Sequence, residues 1–214
     1  MPERVKSDAT TGSGRGQART RLARRAVVDA ARALFLERGY VATTVEAISE
    51  HADVPVATVY RLFSSKPGIL KALLDASVAG DDQPISLQER PDVASLFDEP
   101  DPRVLLARAA GVTTAINWRT GDVYRVLASA AGSDPAATEL YHKIRRQRDE
   151  GQGRIARALA RTRSLRTGLR ERDAADLIHA LMSPELYRLL VVDRGWTPER
   201  YQQWLATTLV LQLT

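Results

Sequence analysis

Apolar residues recur along most of this chain at three- and four-residue intervals, and long β-branched or aromatic alternations are absent. That spacing puts the apolar positions on one stripe of a helix. In Arg19–Arg38 the stripe is Leu22, Ala26, Val27, Ala30, Leu34 and Phe35, and Gly39 stands where a left-handed C-terminal cap is wanted. Thr44–His51 carries Val45 and Ile48, with Thr44 as an N-cap whose hydroxyl accepts from a backbone N–H one turn later. Asp53-Val54 ends that helix, and Pro55 is placed to open the next, Pro55–Leu62, at the first helical position. There Val59 and Phe63 point inward, leaving Val56, Ala57, Thr58, Tyr60 and Arg61 on or near the outer face. A fourth helix, Lys66–Ala79, turns Ile69, Leu70, Leu73 and Leu74 inward.

The pattern then breaks. Between Gly80 and Pro102, four prolines and an acidic bias forbid a continuous helix, with at most a short piece at Asp92–Phe97. Beyond it the periodicity predicts helices over Arg103–Arg119, from Gly121-Asp122 to Ala131, and from Pro135 to about Arg163, the last weakened at Gly151 and Gly153. Gly168 marks another break. Glu171–Arg194 reads as one helix kinked by Pro184 near Ala180. Thr197 caps a final helix striped by Tyr201, Trp204, Leu205, Thr208 and Leu209. The expected fold class is all-α, with a small helical domain at 19–80 and a larger one at 81–214.

Composition narrows the possibilities. The chain has 214 residues, 44% hydrophobic and 27% charged, enough for a sizeable core. The absence of cysteine removes disulfide scaffolds and thiolate chemistry. No apolar run suits a bilayer, and the N-terminus lacks a signal-peptide core, so a cytoplasmic location without membrane contact is expected. Charge is uneven: residues 1–25 hold seven Lys and Arg against Glu3 and Asp8, a balance of +5 that equals the net charge of the whole chain. The composition of residues 1–18 predicts a disordered basic tail, suited to phosphate or minor-groove attraction. Glu139/His142 and Asp176/His179 each have the acidic-x-x-His spacing of metal carboxylate bundles. Such a site needs further inward carboxylates, and Arg103–Arg119 contains no acid, so no metal, cofactor or catalytic residue is assigned.

A short helix, a tight turn and a second helix with small, hydroxyl and arginine side chains outward is the helix-turn-helix arrangement, which fits the major groove of DNA. From Ala30 to Leu74 the chain resembles the DNA-binding domain of TetR-family transcriptional repressors. The residues that carry the likeness are Gly39, Thr43-Thr44, Ala47-Ile48 and Thr58-x-Tyr60-x-x-Phe63-x-x-Lys66. Asp53, Pro55 and Ala57 depart from the family's usual turn glycine, capping serine and glycine. The resemblance implies an N-terminal three-helix helix-turn-helix domain and a C-terminal domain for effector binding and dimerisation. It implies a homodimer bound to a palindromic operator in double-stranded DNA and released by a small organic effector. DNA contacts are expected from Thr43, Thr44, Val56, Ala57, Thr58, Tyr60, Arg61 and Lys66. An effector pocket is expected around Trp118, Tyr124, Tyr141, His142, His179 and Met182. A dimer face is expected from Leu181, Leu186, Leu189, Tyr201, Trp204, Leu205 and Leu209. A metal-dependent helical enzyme and a ligand-independent DNA-binding protein are the other readings.

Overall fold

The computed structural model describes residues 11–80 and 91–214, and every element among them is helical. The chain divides into two compact units, Met1–Leu73 and Leu74–Thr214, and the division falls inside a helix.

In the first unit, α1 spans Thr11–Ala42, α2 Val45–Ala52 and α3 Val56–Phe63, followed by the start of α4, Lys66–Ala79. Helix α1 begins well before Arg19, so residues 11–18, expected to be disordered, are helical. The rest of the expected tail, residues 1–10, lies outside the described residues. Once a helix is nucleated by a packed segment, extending it by further turns costs little, and Gln17, Ala18 and Arg19 are good helix formers. Leu22, expected on the inward stripe, is 69% exposed. The stripe proper starts at Val27 and continues through Ala30, Ala31, Leu34 and Phe35, all buried. Gly39 has φ 79° and ψ 171°, a positive-φ extended conformation rather than the expected left-handed cap, and it turns the chain so that Tyr40 enters the core.

Val45 and Ile48 of α2, Val59 and Phe63 of α3, and Ile69 and Leu70 of α4 fill the same core. Asp53 takes the left-handed conformation between α2 and α3 (φ 51°, ψ 42°), a position that Asp tolerates better than most residues. Pro55 is the N-cap of α3 rather than its first residue. Its carbonyl accepts from Thr58 and Val59 N–H at 2.8 and 3.1 Å.

In the second unit, the turn α5 (Pro91–Ala94) runs into a 3₁₀ turn, Ser95–Asp98. Two long helices follow, α6 (Pro102–Ala130) and α7 (Pro135–Arg161). The expected break at Gly121 does not occur. A helical glycine costs about 1 kcal/mol, and here Thr120, Val123 and Tyr124 are buried on either side of it, so packing overrides the penalty. Conversely, Pro184 does more than kink a helix. Helix α8 (Glu171–Leu181) stops, Ser183 caps the Leu186 N–H at 3.1 Å, and Pro184 is the first residue of α9 (Pro184–Arg188). A π turn, Leu189–Asp193, leads to α10 (Pro198–Leu213). The core of this unit joins Leu105, Leu106, Ile155, Leu159, Ile178, Tyr187, Tyr201, Leu205 and Leu209.

Candidate DNA interface and effector cavity

The outer face of α3 follows from its period. With Val59 and Phe63 buried, Ala57, Tyr60 and Arg61 are exposed, and Val56 and Thr58 lie half-exposed at its edge. Thr44, also exposed, caps α2 by accepting the Ala47 N–H at 3.1 Å. These six side chains are free to meet a groove.

Two other expected DNA contacts have internal work instead. Thr43 is buried, and its hydroxyl reaches the carbonyls of Gly39 (2.8 Å) and Leu34 (3.2 Å), closing the end of α1. Lys66 stands at the N-terminus of α4, where a cation opposes the helix dipole. Its ammonium resolves the conflict by folding back: Nζ donates to the carbonyls of Tyr40 (3.0 Å) and Thr43 (2.9 Å) and lies 4.2 Å from the centre of the Tyr40 ring. Sequence spacing could not separate a lysine aimed at phosphate from one aimed at a helix end. Lys66→Met is therefore expected to destabilise the first unit by about 2 kcal/mol, the worth of hydrogen bonds from a charged donor. It should leave the salt dependence of DNA binding unchanged. Urea unfolding and a salt titration check this; a slope reduced by about one with stability intact would return Lys66 to the phosphates.

Gly68 is a further requirement that the sequence did not reveal. A Cβ there would stand 2.0 Å from the Phe63 carbonyl oxygen, so only glycine lets the start of α4 pass the end of α3.

The second unit holds a partly open cavity of about 150 Å³ between the 3₁₀ turn, α6, α7 and Met182. Its walls are mostly apolar (Leu96, Phe97, Val112, Ile116, Ile155), with Thr113, Asn117, Arg148 and Gln152 among its polar groups. Of the expected pocket residues, only Met182 lines it. Trp118, roughly 100° around the helix from the buried Asn117, is 67% exposed, and His142 is exposed. Tyr124 and Tyr141 pack together with ring centres 5.9 Å apart, one step removed from the cavity: Arg148 Nη1 donates to the Tyr124 hydroxyl at 3.4 Å. His179 likewise sits behind the wall, with Nδ1 3.0 Å from Gln152 Oε1 and Nε2 3.2 Å from Arg148 Nη2. Burial, and then the Arg148 cation, hold its pKa below the ordinary imidazole value, so the ring is neutral and accepts from Arg148.

The polar lining contributed by α7 belongs to RRQRDEGQGR, which reads as a solvated surface. The usable signal was the spacing of Arg148, Gly151, Gln152 and Ile155, one face of a helix ending in an apolar residue. Glu139, His142 and Asp176 are exposed and His179 is held beside an arginine, so the two acidic-x-x-His pairs do not converge. Among the described residues no group of three His, Asp or Glu side chains is placed to hold a metal ion.

The expected dimer face also divides. Tyr201, Leu205 and Leu209 are fully buried within the unit and are unavailable to a second copy. Their stripe packs into the core with Leu105 and Leu106 of α6 and Ile178 of α8. Leu181, Leu186 and Trp204 are half-buried, while Leu189, Val192 and Leu211 are exposed.

Known proteins agree with this architecture. Residues 27–73 match the family profile described as bacterial regulatory proteins, tetR family. YdeS of Bacillus subtilis (strain 168), an uncharacterised HTH-type transcriptional regulator, is 29% identical over 183 residues, 84% of each chain. NalD of Pseudomonas aeruginosa, the secondary repressor of the MexAB-OprM multidrug efflux pump, superposes with a TM-score of 0.66 at 20% identity, covering 90% of this chain and 96% of that one. SmeT in its complex with triclosan gives 0.66 at 19% identity, over 90% and 91%. At such identities the structural likeness shows the fold, and the profile and the full-length relative add the regulator. No described helix is long and apolar enough to cross a membrane. With the helix-turn-helix match lying where the exposed α3 face was found, residues 27–73 are a DNA-binding domain of the tetR-family type, in a chain similar throughout to an HTH-type transcriptional regulator.

Proposed function

We propose that this regulator is a cytoplasmic repressor that binds a palindromic operator as a homodimer and leaves it when a small organic molecule enters the cavity of the second unit. The observation that carries the reading is the α3 surface, where Ala57, Tyr60 and Arg61 are exposed beside the exposed cap Thr44. On this reading residues 19–80 bind DNA and 81–214 bind effector and partner. Arg61 reads a base edge, with Val56, Ala57 and Thr58 beside it, while Tyr60 and Thr44 meet phosphates. Selection of bound sites from random duplex DNA tests it directly and should return a two-fold symmetric motif. Arg61→Ala should cost roughly 1–3 kcal/mol and relax preference at one base pair per half-site. An unchanged selected motif would remove Arg61 from the readout.

Release requires the effector to favour the conformation that fits DNA less well, with coupling of roughly 1–3 kcal/mol. Helix α6 supplies a physical link. Ile116 and Asn117 line the cavity, and two residues on, Arg119 donates to the Ser77 and Val78 carbonyls at the end of α4, both at 3.1 Å. A ligand that shifts α6 therefore pulls on α4, whose first turns belong to the first unit. The cavity favours this reading over ligand-independent DNA binding. NalD and the triclosan-bound SmeT supply the precedents for repression and for a small-molecule ligand.

A further inference from the structure

The cavity's polar groups have one sign. Arg148 and Arg154 are among the lining residues and no Asp or Glu is. The Arg148 side chain is 18% exposed, and Glu185 Oε2, on a largely exposed side chain, stands 4.0 Å from its Nη1, a loose ion pair open to water. Its Nη atoms donate to the Tyr124 hydroxyl and the neutral His179 ring, and its Nε is buried without a hydrogen bond. Asn117 is also buried, with its amide beside the Tyr201 hydroxyl, which donates to the Leu181 carbonyl at 3.3 Å and offers its lone pairs to the amide. Arg154 differs, since its guanidinium stacks 4.0 Å from the centre of the Phe97 ring and is held there.

Burying a guanidinium N–H without an acceptor is costly, and the loose pair with an exposed Glu185 does little to offset it. A ligand that brings an anionic acceptor relieves this. The space of about 150 Å³ is enough for a benzene-sized apolar group. We propose that the effector is a small organic monocarboxylate, with its carboxylate on Arg148 and its apolar body against Phe97, Ile116, Ile155 and Met182. This rests on the reading that the cavity is the effector site, and it adds the charge of the occupant.

Three probes of equal bulk separate the possibilities: benzoate, benzyl alcohol and benzylammonium, each titrated calorimetrically into the full-length protein. Benzoate should bind best, and benzylammonium should not bind. Arg148→Met should weaken benzoate by roughly tenfold to a hundredfold, the worth of a charge-assisted hydrogen bond. Arg145→Met, which removes an exposed arginine one turn earlier on α7, should leave benzoate binding unchanged. Equal or tighter binding of benzylammonium, no binding of benzoate, or undiminished benzoate binding by Arg148→Met would each overturn the proposal. Should Arg148→Met fail to fold, the ranking of the three probes on the wild type decides alone. Benzoate that binds through Arg148 without changing occupancy of a selected operator would uphold the ligand chemistry and overturn the regulatory reading instead.

Discussion

Gly68→Ala is expected to abolish operator binding while leaving the second unit folded. The added Cβ would sit 2.0 Å from the Phe63 carbonyl oxygen, and the obstacle is backbone, so no side-chain rotation relieves the contact. Either α4 moves away from the end of α3 or the α3 terminus unwinds, and both displace the face that carries Tyr60 and Arg61. Overpacking of this kind costs about 3 kcal/mol, or more when backbone must shift. The junction has little slack: Ser64 is already at φ 65°, and the Ser65 hydroxyl accepts the Gly68 N–H at 3.2 Å. Gly121→Ala is the control. Nothing lies within 4 Å of its Cβ position, and Gly121 is in the interior of a helix. There alanine should stabilise by about 0.4–1 kcal/mol. Electrophoretic retardation of a selected operator and urea unfolding of both variants check the pair. An operator-competent Gly68→Ala would show that α3 is positioned by something other than this close approach.

The difference between those two glycines shows where sequence reading stops. The period of Val45, Ile48, Val59 and Phe63 is a local property, and it was enough to place α2 and α3 and the outward face between them. Asp53 and Thr44 were legible for the same reason, since turn and cap chemistry is contained within a few residues. Gly68 was not, because its neighbour is set by how two helices meet. The same limit explains Lys66 and Thr43, whose residue types suit phosphate contact but whose partners are the carbonyls of an earlier helix. In the second unit, helicity was legible and facing was not. An aromatic residue such as Trp118 suggests a pocket, yet neighbouring turns of α6 bury Asn117 and Thr113 and leave the indole outside. Arg148 and Gln152 were hidden in a polar run whose inward face becomes visible only once α6 and α8 are known to cover it.

Leu205→Glu and Leu209→Glu, substitutions suggested by a dimer face on this stripe, are expected to unfold the second unit rather than yield a folded monomer. Both side chains are 0% exposed and belong to the same core as Tyr201, Ile178 and Leu159. Truncating such a leucine to alanine alone costs about 2–5 kcal/mol. A glutamate adds the cost of burying a carboxyl group without a partner, several kcal/mol more even if it stays protonated. Against a total stability on the order of 5–15 kcal/mol, either substitution suffices by itself. The surface left for a second copy is the half-buried Leu181, Leu186 and Trp204 with the exposed Leu189, Val192 and Leu211. Leu211→Glu, at a site 71% exposed, should change the stability of an isolated subunit by no more than about 0.5 kcal/mol. Together with Leu189→Glu it should weaken self-association if these positions meet their copies. Circular dichroism distinguishes loss of fold from loss of partner, and sedimentation equilibrium reports the association. A folded, monomeric Leu205→Glu would contradict the burial of α10 and restore the stripe to the interface.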